Sequence, residues 1–104
     1  MRTSVLHQSR VAWDLALATV AIAQASTEHI RWFSAQLDQR FGPAMRDAFR
    51  DSRYQLLHSE RPDVHAVELG RWRVRIEDLL GEDPSLAEDL TLLRLEANSR
   101  VAGL

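Results

Sequence analysis

Two arginine clusters at helical spacing are the residues of this chain best suited to binding chemistry. Arg46, Arg50 and Arg53 recur at i, i+4 and i+7, and Arg71, Arg73 and Arg75 gather around Trp72. A guanidinium offers a planar fork of donors to phosphate or carboxylate, and an interleaved aromatic ring offers a base a surface to stack on. These six arginines form a face for nucleic acid or for an acidic partner. Their neighbours weaken the first reading. Residues 40–75 hold eight of the thirteen arginines but also five acids, a net of only +3. Asp47, Asp51 and Glu68 interleave with the arginines and Glu77 follows Arg73 by four, as on an ordinary solvated helix face. The absence of lysine is what codon bias in a GC-rich, bacterial genome produces, so nucleic acid is not the expected partner.

The histidines point to little chemistry. His65 and Glu68 are three apart on a helical face and could share a metal, with His58 across the Pro62 loop, but no third ligand or HExxH pattern completes a site. No metal or cofactor is expected. His29 lies in a helical seam, where it is either a core or interface group or, since imidazole titrates near neutrality, a pH-sensitive contact. The chain has no cysteine, which excludes disulfides and thiolate chemistry. It has no Gly-x-Ser-x-Gly, phosphate loop or dinucleotide fingerprint, and only four glycines. An enzyme is not expected.

Helices must position these groups. From about residue 4 to 40 there is neither Gly nor Pro, and Val11, Leu15, Ala18, Ile22, Ala25, His29, Trp32 and Gln36 keep a 4-3-4-3 spacing. A second stripe of Trp13, Leu17, Val20 and Ala21 makes this segment apolar nearly all round between residues 11 and 25. Arg2, His7 and Arg10 before that run, and Ala23-Gln24-Ala25 after it, imitate a secretory signal. Asp14 inside the run speaks against one, and the run is shorter than the roughly twenty residues of a membrane span. Asp14 should instead pair with an arginine, either of a neighbouring helix or chain or Arg10 one turn away. Gly42-Pro43 ends this helix and starts a second over about 43–58, with Met45, Ala48, Phe49, Ser52 and Leu56 toward the core.

Asp63 is placed to cap a third helix, about 63–80. Arg71 to Ile76 alternates like a strand, yet Leu69, Trp72, Ile76, Leu79 and Leu80 fit one helical face and no pairing strand exists. Asp83 or Ser85 caps a fourth helix, about 84–102, whose seam is Leu86, Leu90, Leu93, Ala97, Val101 and Leu104. Leu92 and Leu95 lie off that seam.

The expectation is one all-α domain over 1–104, a four-helix bundle with a long apolar first helix. An unbroken 36-residue helix would be roughly 54 Å long, against a diameter of about 33 Å for a globule of this size. It either breaks near Ser26-Thr27 or protrudes and finds a partner, and the unbroken helix with a homodimer is the preferred branch. The expected function is a cytoplasmic, non-catalytic self-association or protein–protein interaction module without a membrane span. Trp13, Leu17, Ile22, His29, Trp32, Phe33, Leu92 and Leu95 would supply the contacts. From residue 76 on, seven acids oppose two arginines, a net of −5 that complements the basic middle. The alternatives are a small nucleic-acid-binding regulator using the six arginines, and a helical sensor holding an apolar ligand between tryptophans and His29.

Overall fold

The computed structural model describes residues 5–102, with side chains from residue 8 onward. The described chain is all-helical: α1 Val5–Ala23, α2 Thr27–Phe41, α3 Pro43–His58, α4 Val64–Glu82 and α5 Leu86–Ala102. Residues 71–76 lie within α4, so their alternation is not that of a strand.

The long first helix is two helices, and the bundle therefore has five rather than four. At the break, Gln24 and Ala25 donate to the carbonyls of Ala21 and Ile22 at 3.2 and 2.9 Å, an i→i−3 tightening that ends α1. Ser26 is extended, at φ −69° and ψ 160°, and its carbonyl accepts from Ile30 to start α2. The carbonyls at the end of a helix lack intrahelical donors. Here Arg53 of α3 supplies them, its Nη1 donating to Ala23 O at 2.9 Å and Ala25 O at 3.1 Å. A cation at this end also complements the helix dipole. Neither Gly nor Pro marks the break; a side chain from another helix holds it.

The break lets the chain close on itself within 42 × 26 × 26 Å, with a radius of gyration of 13.2 Å. Helix α1 packs against all four others, most extensively α4 and α5, while α2 lies mainly along α3. Ala12, Ala16 and Ala23 are fully buried, so the neighbours approach the α1 backbone closely. Leu15, Val20 and Ile22 complete its core face, meeting Phe33 and Leu37 of α2, Phe49 of α3, Trp72, Ile76 and Leu80 of α4, and Leu90 and Leu93 of α5 in one cluster.

The remaining connections are set locally. Gly42 joins α2 to α3 at φ 91° and ψ 179°, a backbone state reserved for glycine. Asp63 holds the N-cap position of α4 without capping it, because its carboxylate is engaged by Arg61 at 3.0 and 2.9 Å. That side-chain hydrogen bonding keeps the Asp63 carboxyl below its ordinary range and raises the Arg61 guanidinium. Helix α5 starts at Leu86, two residues later than expected, since Asp83 Oδ1 binds Ser85 N at 3.1 Å and Ser85 Oγ at 2.5 Å and turns the chain there.

Arg53→Ala removes both donors from the end of α1. We expect a loss of about 1.5–3 kcal/mol, the usual worth of hydrogen bonds from a charged donor, measured by urea unfolding. Arg53→Lys should recover only part, because the lysine side chain ends one bond short of the position of Nη1, which makes both contacts. An unchanged midpoint for the alanine variant would show that the break is held without Arg53.

Candidate functional site

The expected arginine face is largely engaged within the chain. Arg46 reaches Asp38 at 3.4 Å and Asp47 at 3.2 Å, Arg71 reaches Glu68 at 3.1 Å and Arg73 lies 3.8 Å from Glu77. Arg53 serves the α1 terminus, and Arg75 stacks over Trp72 with its carbon centre 5.1 Å from the ring centroid. Only Arg50 of the six makes no hydrogen bond, ion pair or ring contact among the described residues. Among the described residues, the acidic last helix meets the basic middle at one ion pair, Arg40 with Asp89.

Helix α4 brings Glu68 and Trp72 onto its buried side one turn apart, opposite Ser52 of α3. Trp72 Nε1 donates to Ser52 Oγ at 2.7 Å, and Ser52 Oγ donates to Glu68 Oε1 at 2.7 Å. Arg71 Nη1 donates to the second carboxylate oxygen at 3.1 Å. Glu68 is only 2% exposed, so the carboxylate is desolvated and depends on these partners. The sequence placed Ser52 in the core and Glu68 on a surface or beside His65, and missed their pairing. The overlooked signal is a serine in the apolar stripe of α3, a hydroxyl that burial obliges to find a partner. With Glu68 turned inward and His65 exposed, the two do not meet as metal ligands. Among the described residues, no three acidic or histidine side chains cluster as a metal site.

An aromatic series continues from this network. Phe49 meets Trp72 edge-on at 6.3 Å, Phe33 lies 4.9 Å from Phe49, and Trp32 lies 5.8 Å from Phe33. Arginines close both ends, Arg75 over Trp72 and Arg100 of α5 over Trp32 at 4.1 Å. The series ties α2, α3, α4 and α5 together.

The eight expected interface residues therefore divide. Ile22 and Phe33 are fully buried, His29 is 8% exposed with Nδ1 unpartnered, and Trp32 is half-buried beneath Arg100. These four pack inside the subunit. Trp13 and Leu17 are each 42% exposed on α1, and Leu92 and Leu95 are 57% and 50% exposed on α5. Asp14 pairs with Arg10 at 3.3 Å at the edge of the α1 stripe. Two clefts open elsewhere: one of about 300 Å³ between α2 and α3, and a shallow one of about 420 Å³ along Gly70, Arg71, Val74 and Arg75 of α4. Neither is lined by tryptophan or by His29, the residues expected of an apolar sensor cavity. None of the described helices is long and apolar enough to cross a membrane.

Comparison with protein-family models, with curated proteins and with solved structures finds no match for this chain.

Ser52→Ala leaves the Trp72 N–H and a Glu68 oxygen buried without a partner, for an expected loss of about 1–3 kcal/mol. In a double-mutant cycle with Glu68→Gln, the two losses should fall short of additivity by at least about 0.5 kcal/mol. Additive losses in urea unfolding would mean that the pair does not act as a unit.

Proposed function

We propose that this chain is a non-catalytic helical module that associates with a second copy of itself through α1 and α5. The observation that carries the reading is the exposure of Trp13 and Leu17, one turn apart on the side of α1 that its neighbours leave open. Single exposed leucines are ordinary on soluble proteins. A tryptophan and a leucine together at the one opening in the shell around α1 form an anchor of the type that dominates interface energetics. Leu92 and Leu95 add apolar area on α5, which packs directly against α1.

Charge favours a second copy over an unrelated partner. Arg10 stands beside Trp13 on the α1 stripe with its side chain 78% exposed, while Glu88 and Glu96 flank Leu92 on the exposed side of α5. Under a two-fold axis, α1 of one subunit meets α5 of the other twice over, pairing apolar with apolar and arginine with glutamate. The break between α1 and α2 removes the other ground for a dimer, a protruding helix, so this patch supports the reading alone.

Sedimentation over a concentration series should show a species of about twice 11.9 kDa. Trp13→Ala should weaken association about 30-fold or more, as loss of a hot-spot side chain does. Leu92→Glu should abolish it while leaving the helical circular dichroism intact. A monomer at every concentration overturns the proposal.

A further inference from the structure

We propose that the cleft between α2 and α3 is a binding site for a small phosphate monoester dianion. Three arginines, Arg31, Arg46 and Arg50, line it with a single acid, Asp38, giving the cleft a net charge of +2. Among the described residues, Arg31, Arg50 and Arg94 are the arginines that enter no hydrogen bond, ion pair or ring stacking. Two of those three face the same cleft. Arg46 is held at its rim by Asp38 and Asp47, at 3.4 and 3.2 Å, and keeps part of its donor fork available.

A second observation points the same way. Ser34, in the wall of the cleft, is 5% exposed and its hydroxyl has no hydrogen-bond partner. A helical serine ordinarily returns that bond to the carbonyl four residues back. Thr19 and Thr91 do so here, at 2.8 Å each, and Ser34 does not. Buried unpaired hydroxyls are uncommon in native proteins and call for an explanation. An oxyanion seated between the arginines would offer an acceptor in the cleft that this residue lines.

The charge and shape select the ligand class. A phosphate monoester carries about −1.5 to −2 at neutral pH, matching the +2 of the cleft, and its three terminal oxygens accept hydrogen bonds from several sides. A planar carboxylate brings one charge and two oxygens. A diester in a nucleic-acid backbone also brings one charge per phosphate, and the cleft volume of about 300 Å³ is at the small end for ligand pockets. The site lies on α2 and α3, away from the α1 and α5 surface proposed for self-association, so either proposal can fail without the other.

The test is a calorimetric titration of the full chain at low salt with inorganic phosphate, with phenyl phosphate and with acetate. Saturable one-to-one binding of phosphate is expected, with phenyl phosphate binding at least as tightly, and weaker binding of phenyl phosphate than of inorganic phosphate would overturn a monoester as the ligand. Arg31→Ala and Arg50→Ala should each weaken binding about tenfold or more, the usual effect of losing a charge-assisted hydrogen bond. Both side chains are exposed and unpaired, so unaltered melting curves should confirm that these variants fold. Asp38→Asn should tighten binding severalfold by removing the one opposing charge, an effect that damage to the fold cannot mimic. No phosphate binding at an ionic strength of about 10 mM, where the Debye length is near 30 Å, overturns the proposal. So does acetate binding as tightly as phosphate, or equal affinity in the wild type and both arginine variants.

Discussion

The enclosure of α1 is the requirement from which the rest of the architecture follows. A helix that is apolar nearly all round can be accommodated only where neighbours cover nearly all of it. Four helices do so here, and α1 is in contact with every one of them. Covering it with 104 residues demands that the chain turn back soon after α1 ends, which a continuous helix through residue 40 would forbid. The break at residues 24–26 supplies that turn, and Arg53 makes it tolerable by donating to the carbonyls that the break exposes. A guanidinium reaches two such carbonyls from one side chain, so a surface helix, α3, becomes bonded to the end of the central one.

The polar network and the aromatic series do complementary work on the other helices. Apolar burial alone is nondirectional and leaves the rotation of a helix about its own axis weakly determined. The Trp72–Ser52–Glu68 chain fixes α4 against α3 in one rotation, because any other leaves a buried carboxylate unpaired. The rings of Trp32, Phe33, Phe49 and Trp72 fix α2 in the same way through tilted contacts at 4.9–6.3 Å. Arg100 reaches across from α5 to Trp32, and Arg40 from α2 to Asp89, so α5 is joined to α2 by two arginine contacts.

What the sequence revealed depended on whether the cause was local. The start of α3 was legible at 43 because Gly42 and Pro43 act through their own backbone preferences. The α1–α2 break was named only as the less favoured branch, since Gln24-Ala25-Ser26 carries no such mark and the stabilising donor lies 28 residues away at Arg53. That miss propagated. Three non-helical residues shift the phase of the helical pattern, so of the seam residues read beyond Ile22 only His29 is buried, and Ala25, Trp32 and Gln36 are partly exposed. The buried face of α2 is instead His29, Phe33, Ser34 and Leu37. Phe33 was thus assigned to an interface and lies in the core. Trp13 and Leu17, upstream of the break, kept their predicted place on a second stripe.

Arginine-only composition takes on a different meaning once each guanidinium is placed. Stacking over an indole and bridging two acids use the planar guanidinium, and capping two carbonyls from one terminal nitrogen uses its reach, tasks that a shorter ammonium side chain performs less well. Arg53, Arg75, Arg100 and Arg46 each perform one of these tasks. The fold depends on these guanidiniums. It also follows that the density of arginine along the chain is a poor guide to a binding surface here, because the densest stretch is the most internally satisfied. The informative residues are the few that the fold does not engage. Arg31 lies outside the two clusters that the sequence brings to notice, yet it shares the α2–α3 cleft with Arg50, the one clustered arginine without a partner. Surplus donors gathered in a concave site, beside a buried hydroxyl in the same condition, are better evidence for a ligand than any run of like charge.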